Sequence, residues 1–305
     1  MFKGKIRLVE EKMRFWMKYL AVSAALALFV ACSDDDSDFA TRPNAKASSS
    51  SVSSSSSSDL PQSSSSETSE SSSSVLADYV DPSTVVKGSM TDERDGQTYK
   101  TVTIGTQTWM AENLNYAYLQ PTDELDSSSF CHNDSAESCT KYGRLYLWSA
   151  AMDSAGVWST NGMGCGSGEE CFPTYPVRGV CPEGWHFPDS TEWEILFSAV
   201  GGFATAGKIL KASSGWDSDL EISGNGTDAY GFSALPVGPR SYNGSYHDRA
   251  DVTIFWTSTK SGEGDAYYMR LWNSLDDAFL SDATTETGAV VRCVKDYISN
   301  KPSVF

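Results

Sequence analysis

Six cysteines between positions 131 and 293 constrain this 305-residue chain more than any other feature. Cys131 and Cys139 are separated by HNDSAES, and Cys165 and Cys171 by GSGEE. No pair has the two-residue spacing of a zinc knuckle, and the only histidines are His132, His186 and His247, so a zinc site is disfavoured. In an oxidising compartment an even set of cysteines reads as a disulfide framework, with 15 connectivities open to six. Pairing the close neighbours leaves Cys181 with Cys293, across more than a hundred residues. Closing a loop of that length stabilises a fold by about 4–5 kcal/mol through the entropy of the unfolded chain.

The compartment is read from the other end of the chain. Lys3, Lys5, Arg7, Lys12, Arg14 and Lys18 precede an apolar run from Leu20 to Ala31 that stops at Cys32. The run is shorter than the roughly 20 residues of a membrane span, and its basic flank and small residues mark a signal peptide over 1–31. FVAC at 29–32 resembles a lipoprotein signal, which implies cleavage before Cys32 and its lipidation. SDDDSD at 33–38 resembles the acidic tags of surface lipoproteins, so the expected address is the outer membrane, exposed at the cell surface. Removing 1–31 takes 6 of 23 basic and 2 of 40 acidic residues, leaving 17 against 38 and a net charge of −21. That charge opposes nucleic acid and anionic lipid headgroups, which are bound through Lys and Arg.

Serine fills 19 of the 27 positions from 48 to 74. Such a tract cannot bury enough apolar surface to offset chain entropy. Residues 32–84 are thus expected to be an acidic, Ser-rich tether with a reach of about 40 Å, followed by one domain over 85–297 and a short tail, 298–305. Within the domain, Tyr99, Val102 and Ile104 alternate before Gly105 and a run ending at Trp109, which predicts a hairpin. Leu145, Trp148, Ala151 and Met152 predict a helix over 144–153. Asp189 with Glu192 reads as a capping box for a helix over 191–200, ended by Gly201-Gly202, with Trp193, Leu196, Phe197 and Val200 inside. A further helix is expected over 204–212. Beyond it, 231–237, 254–259, 266–272, 278–281 and 289–295 read as short strands, and helices followed by antiparallel strands make an α+β fold.

Four segments carry a family resemblance: DGQTYKTVTIGTQTWMAENLNY at 95–116, YGRLYLWSAAM at 142–152, CPEGWHFPDSTEW at 181–193 and AVVRCVKD at 289–296. In this order they closely resemble the Fibrobacter succinogenes major paralogous domain, over about 85–297. A cysteine ahead of a first helix, with its partner on a terminal strand, also resembles the C-type-lectin-like fold shared with formylglycine-generating enzymes. The family context implies plant fibre as the ligand source.

Eight tryptophans and twelve tyrosines fall in 85–297. Trp109, Trp148, Trp193 and Trp256 stand in apolar patterns and are expected in the core. The loop PRSYNGSYHDRAD at 239–251 groups Arg240, Tyr242, Tyr246, His247 and Asp248, the expected ligand-binding residues, because loops bear binding groups. LWNS at 271–274 keeps the Trp and Asn of a lectin calcium strand but has Ser274 for the aspartate, and the Asp217/Asp219 and Asp276/Asp277 pairs read as acidic turns. No nucleophile elbow, phosphate loop or HExxH helix is present, so no cofactor and no catalysis are expected. The expectation is a lipid-anchored binding or adhesion module, with plant-fibre polysaccharide or an envelope protein as partner; the alternatives are an extracytoplasmic enzyme of formylglycine-generating-like fold and a structural envelope lipoprotein without ligand.

Overall fold

The computed structural model describes residues 79–119, 128–166, 168, 170–220, 222–247 and 249–297. The expected signal peptide, Cys32, most of the expected tether, Asp248 and residues 298–305 lie outside the described residues. Three disulfides join Cys131 to Cys139, Cys165 to Cys171 and Cys181 to Cys293, the expected pairing. No helix among the described residues is long and apolar enough to cross a membrane.

The fold is α+β, built on two sheets. Strands β1 (Val86–Thr91), β2 (Thr98–Ile104) and β3 (Gln107–Met110) form an antiparallel meander. The β2–β3 turn is the predicted hairpin, with Ile104 opposite Gln107 and Gly105 at φ +60°. β4 (Ser129–Phe130), β5 (Leu145–Tyr146), β6 (Trp185–His186), β7 (Val252–Lys260), β8 (Asp265–Trp272), β9 (Phe279–Thr284), β10 (Ala289–Val290) and β11 (Val294–Lys295) complete the set. One sheet runs β1-β2-β3-β11-β6, the other β4-β5-β10-β7-β8-β9. Helices α1 (Ala136–Tyr142), α2 (Trp148–Ala151), α3 (Ser190–Ala199) and α4 (Phe203–Leu210) pack around them.

β7 separates two cores because successive strand side chains point to opposite faces. Phe255 joins Trp109, Trp193 and Phe232 on one side, where the Trp109 and Trp193 rings lie 4.5 Å apart. Ile254 and Trp256 join Tyr146 and Trp148 on the other. The Trp148 Nε1–H donates to the Thr257 carbonyl at 2.8 Å and that of Trp256 to the Tyr146 carbonyl at 2.9 Å, so both indoles are buried without losing a hydrogen bond. All four expected core tryptophans are fully buried.

Several expectations are corrected. Helices do not precede the strands: β1–β3 come first, and β10 pairs in parallel with β7. The helix over 144–153 shrinks to α2, because Leu145 and Tyr146 pair with both β4 and β10. Every residue from Leu145 to Asp153 is buried, so apolar spacing there could not distinguish helix from strand. Segment 231–237 is not a strand. Ser233 takes φ +54°, the Asp228 side chain holds its N–H and hydroxyl, and Arg292 takes the carbonyls of Phe232 and Ser233. Segment 289–295 is two strands, since Val290 pairs in one sheet and Val294 in the other. Cys293 lies in the crossover between them, not on a terminal strand.

Candidate functional site

The predicted loop folds back on the chain. Arg240 exchanges backbone hydrogen bonds with Gly288 at 2.9 and 2.8 Å, and its guanidinium lies 4.1 Å from the Phe130 ring centre. The Tyr246 hydroxyl donates to Asp134 Oδ1 at 2.7 Å, and its ring lies 5.0 Å from that of His132. Burial and then the Asp134 carboxylate push the Tyr246 phenol up to about 12. His132 Nε2 donates to the His247 carbonyl at 2.8 Å, and His247 Nε2 lies 3.0 Å from Ser241 Oγ. Tyr246 and His247 thus meet at a shallow polar depression of about 340 Å³, beside Asp217 and Arg249. Tyr242, 68% exposed, is not among its lining residues. Asp248 lies outside the described residues.

A second concavity, of about 470 Å³, lies at the start of α3, with Tyr175, Pro176, Phe187, Thr191 and Tyr297 in its walls. Its floor is built from the capping box. Asp189 Oδ1 accepts the Glu192 N–H at 2.9 Å, while Glu192 Oε2 accepts the Asp189 N–H at 3.0 Å. The other Glu192 oxygen lies 2.7 Å from His186 Nε2, and His186 Nδ1 lies 2.7 Å from Asp296 Oδ1. One carboxylate therefore caps the helix and grips the histidine, which holds the residue after β11. Burial opposes a charge on His186, but Glu192 and then Asp296 outweigh it and raise its affinity for a proton. The Tyr175 hydroxyl donates to the Ser258 carbonyl at 3.2 Å, fixing a ring that remains 49% exposed; Tyr297 is 64% exposed. Exposed tyrosine rings beside carboxylates and a hydroxyl can stack on a sugar ring and bond its hydroxyls.

Sequence reading missed this site. Asp189 and Glu192 were visible as a helix start, and His186 only as a discounted zinc ligand. Tyr175 and Tyr297 are more than a hundred residues apart, and no local pattern joins them.

At LWNS, the Asn273 N–H donates to the Asp251 carbonyl at 2.7 Å and its amide to Asp251 Oδ1 at 3.0 Å. The buried Lys211 ammonium donates to the carbonyls of Trp272 and Leu275, each at 2.8 Å. A fixed side-chain cation thus occupies the carbonyls of that turn, and burial pushes Lys211 down to about 8. Among the described residues no group of three or more His, Cys, Asp or Glu is placed to hold a metal ion.

No curated protein and no solved structure matches the chain. The Fibrobacter succinogenes major domain matches residues 102–295, which run from the middle of β2 to the end of β11 and make up nearly two thirds of the chain. The chain therefore belongs to the Fibrobacter succinogenes major domain family.

Proposed function

We propose that this chain is a lipid-anchored binding module of the outer membrane, displayed at the cell surface on a serine-rich tether, whose domain engages plant-fibre polysaccharide. The observation that carries this reading is the groove between Tyr175 and Tyr297, where two exposed rings flank Asp189, Thr191, Glu192 and Asp296. Aromatic faces take the apolar faces of sugars, and the carboxylates accept their hydroxyl protons. The six paired cysteines support binding over a thiol-dependent oxidase, because none of them is left as a free thiol. A C-type-lectin-like arrangement fits the domain: the Cys181–Cys293 bridge joins the segment before α3 to the crossover before the last strand, and β7–β9 form a long antiparallel unit between them.

Calorimetric titration of the mature chain with cello- and xylo-oligosaccharides tests the reading. Binding that falls roughly tenfold in both Tyr175→Ala and Tyr297→Ala is expected; no binding, or binding indifferent to both rings, would refute it. The anchor is tested separately by acyl-chain labelling, which Cys32→Ser should abolish.

A further inference from the structure

The mature chain is strongly acidic, yet one groove reverses that sign. It lies beside the β1–β2 hairpin, measures about 430 Å³, and has the end of α1 and the 228–235 segment in its walls. Lys87, Lys100, Lys141 and Arg292 line it, against only Glu112 and Asp228. Glu112 is committed to Lys100, whose Nζ it holds at 3.1 Å. Asp228 is turned to Ser233, accepting from its N–H at 2.7 Å and its hydroxyl at 2.6 Å. Among the described residues Lys87, Lys141 and Arg292 form no ion pair.

Arg292 carries most weight. It is 1% exposed, and its guanidinium donates only to neutral groups: Asn113 Oδ1 at 2.9 Å and the carbonyls of Phe232 and Ser233. The rings of Phe232 and Phe255 lie 4.3 and 5.2 Å away. A guanidinium buried without a touching carboxylate leaves an uncompensated charge, felt strongly where the dielectric is low. Burial pushes Arg292 down to about 9, opposed at a distance by Asp228 and Glu112.

The Lys87 stem lies against the Gly231 backbone: a Cβ there would come within 2.8 Å of Lys87 Cε and 3.0 Å of its Nζ, and φ +74° is a conformation that favours glycine. The remaining wall presents neutral groups, among them Gln97, Thr98, Thr101 and Asn115. These match hydroxyls, whereas a polyanion would meet the repulsion of the whole acidic surface. We propose that this groove binds a small hydroxylated carboxylate, namely an isolated acidic sugar unit on an otherwise neutral chain. The groove shares no lining residue with the Tyr175–Tyr297 site, so the two stand or fall separately.

Titration of the mature full-length chain with methyl glucuronoside, methyl glucoside and inorganic phosphate tests the proposal. The glucuronoside is expected to bind roughly tenfold tighter than either of the others. Lys87→Gln and Lys141→Gln, both at exposed side chains, should each weaken it by roughly two- to fivefold without altering thermal stability, and Tyr175→Ala should leave it unchanged. Equal binding of glucoside and glucuronoside would overturn the proposal, as would phosphate binding as tightly or indifference to both lysine changes. Loss in Tyr175→Ala alone would move the acidic sugar to the aromatic groove, overturning this site while leaving the first reading intact.

Discussion

Two aromatic regions of the molecule hold the same kinds of residue and differ in what their polar groups bond. The 239–247 loop and the pair formed by Tyr175 and Tyr297 both put tyrosines near a histidine and carboxylates. In the loop, the Arg240 guanidinium lies against the Phe130 ring and the Tyr246 hydroxyl bonds Asp134, so both side chains pack the loop onto residues 130–134. In the groove the carboxylates and His186 satisfy one another from beneath, and the tyrosine faces stay open. An aromatic loop is a binding surface only if something else satisfies the polar groups that position it.

Each region has its own disulfide, and the contrast can be broken there first. Cys181→Ser with Cys293→Ser removes the bridge next to the groove, which spans 112 residues, and should cost about 4–5 kcal/mol in urea unfolding. Cys131→Ser with Cys139→Ser removes the bridge beneath the loop, spanning 8 residues, and should cost about 2–3 kcal/mol. Equal costs would mean that the loop region anchors the fold as much as the groove region does. Arg240→Ala is expected to lose about 1–2 kcal/mol through its ring contact and half-buried side chain, and Tyr246→Phe about 1 kcal/mol with its hydrogen bond to Asp134. Tyr297→Ala, in contrast, should stay within about 0.5 kcal/mol of the parent. A large stability loss at Tyr297 or none at Arg240 would erase the distinction between packed and open rings.

A pH-dependent difference belongs to His186. Its folded-state proton affinity is raised, so its contribution is fully present below the ordinary value of about 6.5 and is lost as pH rises through the raised value. The difference in melting temperature between the parent and His186→Gln should therefore shrink from about pH 5.5 to about pH 9. A difference that grew with pH would mean that the groove holds His186 neutral.

Legibility in the sequence followed range. The capping box at Asp189 and Glu192, the hairpin turn at Gly105 and the burial of Trp193, Leu196, Phe197 and Val200 came out as expected, because each depends on residues a few positions apart. The strand expected over 231–237 did not form, since Arg292, some sixty residues away, takes the carbonyls that a strand would need. The basic groove was hidden for the same reason: a net charge of −17 says nothing about where Lys87, Lys100, Lys141 and Arg292 converge.

The sequence by itself determined the cysteine pairing, the α+β class and the tryptophan core, which follow from spacing and apolar pattern along the chain, and the family, through the resemblance of its four motif segments. Only the tertiary structure decided which aromatic rings stay open and where charge gathers. The gathering of charge depends on the crossover at 291–293, which passes from one sheet to the other and carries Arg292 and Cys293 with it. The backbone there bonds to neither neighbour in sequence but to Met110 and Leu114, partners that no local rule can name.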